Sequence, residues 1–145
     1  MSAATSNNTS AAAVANGQLL RTALIAAVVA TVLNLIIYFI ATSAGVVLQA
    51  PNPMTNVVEP IPFMAVVMSS VIPAFVGTGL LWALGRFTAQ PFTIFFIISV
   101  VFTLLSFGGP FSLSLQLNGQ LTLALMHVVE ASTVVGLLAT QARAR

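Results

Sequence analysis

The chain has 145 residues, 59% hydrophobic and 4% charged, and its formal net charge of +2 comes from four arginines set against two glutamates. A soluble domain carries about a quarter charged residues, so this chain lacks the polar groups to cover a water-facing surface, and lipid is the solvent its composition fits. The absence of cysteine excludes disulfides, thiolate metal sites and thiol catalysis, and the scattered arginines form no basic cluster of the kind nucleic acid requires.

Residues 1–19 open with "MSAATSNNTSAAAVANGQ", rich in Ser, Ala, Thr and Asn and poor in large apolar side chains. That composition predicts a disordered cytosolic tail. Four long apolar runs follow, at about 20–48, 61–85, 91–109 (reaching 111 at most) and 121–140. Each is close to the roughly 20 residues that cross about 30 Å of hydrocarbon as a helix. Lipid cannot satisfy free backbone groups, and the runs lack the alternation of a barrel, so they span as helices. A cleaved signal peptide is the rival reading of the first run, but its apolar stretch is too long and its leader too polar.

Breakers separate the runs. "QAPNPMTNVVEPIP" (49–62) holds Pro51, Pro53, Pro60 and Pro62, which no regular helix crosses. "RFTAQP" (86–91) is short and polar, with Pro91 placed to open the third helix. "GGPFSLSLQLNGQ" (108–120) contains an alternating "FSLSLQL" that predicts extended chain or a segment lying in the interface. With the N-terminus in the cytosol, Arg21, Arg86, Arg143 and Arg145 all fall on the cytosolic side, and the two opposite loops hold no arginine. That is the positive-inside pattern. The expected architecture is therefore an all-α integral membrane protein: an antiparallel four-helix transmembrane bundle in the inner (plasma) membrane, with a membrane domain over 20–141, a tail over 142–145 and both termini cytoplasmic.

The polar residues inside these runs fall at one depth. Glu130 lies 13 residues before Arg143, Asn34 lies 13 after Arg21, and Pro73 lies 13 before Arg86. At about 1.5 Å per residue, all three sit about 20 Å from the arginine boundary. His127, Tyr38, Ser69 and Ser70 come about one turn further out, and Thr103 and Ser106 reach a similar level on the third run. On the first run Ala23, Ala27, Ala30, Asn34, Tyr38, Ala41 and Gly45 form a stripe of small residues, which lets helices approach closely in lipid. On the fourth, Gln120, Ala124, His127 and Ala131 share a face with Glu130 at its shoulder, and Ser132 and Gly136 form a small pair on another side. Runs one and four are expected to pack together, with Asn34 near Glu130 and Tyr38 near His127.

A carboxylate at mid-bilayer is expected to be protonated, paired or facing water. His127 is the partner its own helix offers; a neutral Glu130 would instead donate to Asn34 or to the carbonyl that Pro73 frees. Two readings stand side by side: a small ligand- or proton-binding site made by His127, Glu130, Asn34, Tyr38, Ser69 and Ser70, or a structural clasp that fixes helix register. Glu59, in the Pro-rich outer loop, is a solvated loop charge or a gating contact. Trp82 and Arg86 mark the inner interface, "GTG" (77–79) is packing, and "PFTIFFIISVVF" is a lipid-facing helix. One histidine without cysteine supplies no metal site of its own.

The second run "PIPFMAVVMSSVIPAFVGTGLLWAL" together with "LMHVVEA" of the fourth resembles an uncharacterised bacterial family of small four-span membrane proteins. The likeness covers about Leu20 to Thr140 and rests on an entry proline, the small patch with Gly77, and His127. It implies the same architecture and that His127 is a family feature; it implies no chemistry.

Three functions compete. The first is a non-enzymatic accessory or scaffold subunit that packs against another membrane protein or itself. The second is a small oligomeric proton-linked carrier using Glu130, His127 and Asn34, with Pro73 breaking a helix. The third is a subunit holding a quinone or haem near His127; it lacks a nucleophile–base pair and a phosphate loop. The first is the expected one, with no cofactor.

Overall fold

The computed structural model describes residues 13–52 and 54–143. In chain order they form helix α1 (Asn16–Ser43), strands β1 (Gln49–Pro51) and β2 (Val58–Pro60), and helices α2 (Phe63–Phe87), α3 (Pro91–Ser106), α4 (Gly108–Ser112) and α5 (Leu117–Gln141). Four helical stretches are long and apolar enough to cross a membrane: α1, α2, α3 continued through α4 (Pro91–Ser112), and α5. The number and order of the expected spans therefore stand. Most of the expected tail, residues 1–12, lies outside the described residues, as does Arg145.

The boundaries move for local reasons. α1 begins at Asn16, inside the stretch expected to be tail, because residues 14–15 are tied down. Val14 bridges to Arg143, and the Ala15 amide donates to the Ala142 carbonyl at 2.8 Å. α1 ends at Ser43, earlier than the apolar run suggests, and Gly45 turns the chain with φ +81°. α5 starts four residues before its expected start, so only residues 113–116 of the alternating "FSLSLQL" lie between helices. The third span breaks at Phe107 because Pro110 has no amide hydrogen and its ring crowds the Ser106 carbonyl four residues back. Pro73 sits within α2, which continues through it.

The segment 49–62, expected as irregular loop, holds an antiparallel pair in which Gln49 faces Pro60 and Pro51 faces Val58. Pro51 and Pro60 stand at strand ends, where a missing donor is tolerated. The turn is held by Asn52, whose amide donates to the Val57 carbonyl at 2.9 Å and whose Oδ1 accepts from Met54, and by Asn56 in the left-handed region.

α1 packs chiefly on α2 and α5, while α3 leans more lightly on α2 and α5. The α1 contact face is Leu19, Thr22, Ala23, Ala26, Ala27, Ala30, Asn34 and Ala41, close to the small-residue stripe. Near the arginine end an apolar core joins Leu19, Ala26, Ala27, Ala74, Leu81, Phe92, Phe95, Val134 and Leu138. Here chain segments approach closely. A methyl group on Gly85 would lie 2.8 Å from Val14, and Gly77 faces Val134, Leu138 and Phe95 at ordinary contact distance. Arg86 stacks over Trp82 at 4.6 Å and Arg143 over Phe92 at 4.7 Å. At the other end the hairpin is held by the Ile61 amide on the Leu48 carbonyl, 3.0 Å, and a methyl on Gly119 would meet the Val47 carbonyl at 2.9 Å.

Candidate functional site

Most hydroxyls in the helices are satisfied at home. Thr78 donates to the Ala74 carbonyl, Thr103 to Ser99, Ser106 to Thr103 and Thr140 to Gly136, each at 2.7 Å. In hydrocarbon that local bond replaces water. Among the described residues, side-chain pairs bridge one helix to another at a single place. The Asn34 amide Nδ2 of α1 donates to Ser70 Oγ of α2 at 3.0 Å and to Glu130 Oε2 of α5 at 3.1 Å. Asn34 is 3% exposed, Ser70 0% and Glu130 9%.

The sequence positions explain the convergence. Asn34 continues the small-residue stripe of α1, where Ala27 and Ala30 leave room for the neighbouring helices. Ser70 lies one turn before the buried Ala74 on α2. Glu130 stands in the middle of the buried α5 face formed by Gly119, Met126, Glu130, Val134 and Leu138. That corrects the expected α5 face. Gln120, Ala124, His127 and Ala131 are only half-buried, and the carboxyl lies at the centre of the contact rather than at its shoulder.

The expected approach of Asn34 to Glu130 is present, but three other expected neighbours are elsewhere. Tyr38 does not bond His127. Its hydroxyl donates to the Ile61 carbonyl at 2.8 Å, fastening α1 to the chain entering α2. His127 bonds its own helix, with Nδ1 2.7 Å from the Leu123 carbonyl. A carbonyl only accepts, so Nδ1 carries the hydrogen. Ser69 faces outward and donates to the Val66 carbonyl at 3.0 Å. Depth places Ser69 and Ser70 at one level; only the helical rotation of 100° per residue separates them, and it turns Ser70 inward. Glu59 is exposed in β2, its Oε1 accepting from Asn52 Nδ2 at 3.3 Å, as a loop charge would.

Two acceptor atoms of the trio, Asn34 Oδ1 and Glu130 Oε1, are shut from solvent and have no hydrogen-bond partner. Thr31 Oγ1, one turn before Asn34, is in the same condition. The one signal in the sequence that sets Thr31 beside the trio is its three-residue spacing from Asn34. No group of three or more His, Cys, Asp or Glu side chains able to hold a metal occurs among the described residues.

A second feature lies outside this core. α3 and α5 diverge to leave an open groove of about 450 Å³ whose lining includes Ser99, Thr103, Ser132, Val135 and Gly136. A methyl on Gly136 would meet nothing within 4 Å.

No curated protein and no solved structure matches the chain. One family does match, over residues 14–144, which takes in all four apolar helices and the polar trio. The chain belongs to that family of unknown function, DUF6069.

Proposed function

We propose that the protein is an accessory or scaffold subunit of a membrane complex, acting through helix contacts in the bilayer and not through catalysis. The observation that carries this reading is the α3–α5 groove. Only Pro91, Phe92 and Phe95 of α3 are buried, and beside them the chain presents Ser99, Thr103, Ser132 and Gly136 to the lipid side. Small and hydroxyl residues are what close helix–helix contacts in membranes use, because hydrophobicity gives no net drive there. The occupant is a helix of another membrane protein or of a second copy.

The test is purification in mild detergent from the native membrane. The protein is expected to emerge with a companion or as an oligomer. Gly136→Leu is expected to abolish that association while leaving thermal stability unchanged, since a methyl placed on Gly136 meets nothing within 4 Å. A stable monomer, or an association indifferent to Gly136→Leu, counts against the reading.

The proposed arrangement is an antiparallel four-helix bundle in the inner (plasma) membrane with both ends in the cytoplasm. Supporting it, Val14, Gly85, Phe92 and Arg143 meet at one end through the contacts given above, the end to which Arg86 and Arg143 belong. The positive-inside rule places such an end in the cytosol. Reporters fused to the C-terminus should be active inside only; an externally active fusion would refute the orientation.

A second reading, a proton-linked carrier, is favoured by one observation: Glu130 Oε1 is buried and unpartnered. Flux in proteoliposomes that survives Glu130→Gln would remove it.

A further inference from the structure

The trio is short of hydrogen-bond donors. An asparagine amide has two N–H groups, and Asn34 commits its nitrogen to two acceptors, Ser70 Oγ and Glu130 Oε2. Two acceptors, Asn34 Oδ1 and Glu130 Oε1, are left over. Ser70 still has its own hydroxyl hydrogen and can serve one of them. Among the described residues no other donor is bonded to either of them. An unmet buried acceptor is costly, and an isolated ionised carboxylate in an apolar setting is far more so. One added proton relieves both: it cancels the charge and turns a carboxyl oxygen from an unmet acceptor into a donor.

We propose that Asn34, Ser70 and Glu130 form a binding site for a single exchangeable proton, carried on the Glu130 carboxyl where α1, α2 and α5 meet. The step is a simple protonation: the carboxylate takes up one proton to form the neutral acid, one O–H bond is made, and no electron is transferred. Few titratable groups surround Glu130. α2 has no titratable side chain from Phe63 to Gly85, and α3 has none from Pro91 to Ser106. On α1 the nearest is Tyr38, whose hydroxyl is spent on the Ile61 carbonyl. On α5 it is His127, one turn away and half-buried, with Nδ1 spent on Leu123. In the hairpin, Glu59 is exposed and bonded to Asn52. A sodium ion would seek the same oxygens, but hard cations gather about six oxygen ligands. The trio offers Glu130 Oε1, Asn34 Oδ1 and Ser70 Oγ, with an amide N–H turned into the same space.

With the proton bound, the three helices share a neutral, hydrogen-bonded contact. With the proton gone, a bare charge sits in that contact and the helices are pushed toward water. Protonation thus sets how firmly α1 and α2 hold α5.

The chain has only two acidic side chains, Glu59 and Glu130, which makes the test clean. The full-length protein carrying Glu59→Gln is reconstituted in proteoliposomes with carboxyl-labelled glutamate, and its infrared spectrum is followed through a pH titration. The expected result is a labelled carboxylic-acid C=O band at acid pH that disappears reversibly as the medium is made alkaline. It should be unchanged when potassium is replaced by sodium and absent when Glu130→Gln is added. Absence of the acid band at every pH would overturn the proposal, as would a band that never titrates. A band removed by sodium at constant pH would make the site a cation site and overturn it equally. Because the reporting protein keeps Glu130, the outcome does not depend on whether Glu130→Gln folds.

Discussion

Replacing Asn34 with leucine is expected to lower stability by about 1–3 kcal/mol, measured by reversible unfolding in mixed detergent. The change removes both bonds that tie α1 to α2 and α5. Interhelical hydrogen bonds in membranes average about 0.6 kcal/mol and reach about 1.7, so two give roughly 1 kcal/mol before any other effect. The remainder comes from what is left behind, since the buried Glu130 then loses the donor that Asn34 supplied, and breaking one side of a buried polar pair costs more than the pair itself is worth. This explanation has a distinctive signature. Adding Glu130→Leu to Asn34→Leu should recover part of the loss, because it removes the stranded carboxyl. By contrast, Glu130→Gln alone should be nearly neutral, since its amide supplies the donor the trio lacks. If Asn34→Leu is as stable as the parent, or the double variant is worse than the sum of the singles, Asn34 does not hold the helices together.

Phe95→Ala is expected to cost about 2–3 kcal/mol by the same measurement, for a different reason. Phe95 is 2% exposed and is one of the few α3 residues that reach the core, where its ring lies toward Gly77. In lipid the transfer term that dominates such losses in water largely vanishes, because the unfolded helix is already surrounded by hydrocarbon. The cavity term remains. The change removes roughly 100 Å³, and at about 24 cal/mol per Å³ that is about 2.4 kcal/mol. Phe102, 69% exposed on the same helix, provides the control: Phe102→Ala should change nothing measurable. Equal effects at the two positions would show that α3 is not docked through Phe95.

Much of this arrangement is written in the chain. The span count follows from hydrocarbon thickness, and the α1 contact face from its small residues. Even the pairing of Asn34 with Glu130 was expected from counting residues to the nearest arginine, 13 in each case. Counting gives height and not azimuth, which is why Ser69 and Ser70 could not be told apart and why Tyr38 and His127 were expected to meet. Both found nearer partners, a loop carbonyl and a backbone carbonyl one turn back. The hairpin was hidden for another reason. Prolines argue against strands in general, and only the register shows that Pro51 and Pro60 occupy positions where no donor is needed. The start of α1 could not be read locally at all, since it depends on Ala142, near the opposite end of the chain.

That last contact bears on the order in which the protein is assembled. Ala15 is made well before its partner Ala142, and Asn34 must wait 96 residues for Glu130. When α1 first enters the bilayer, the amide of Asn34 therefore has neither of its eventual acceptors. Ser70 arrives with α2; the carboxyl comes only with α5. Of the four apolar helices it is α5 that completes the contact, and a nascent chain halted before it would carry an amide with one N–H unmatched in hydrocarbon, a mark by which such copies differ from those that have reached α5.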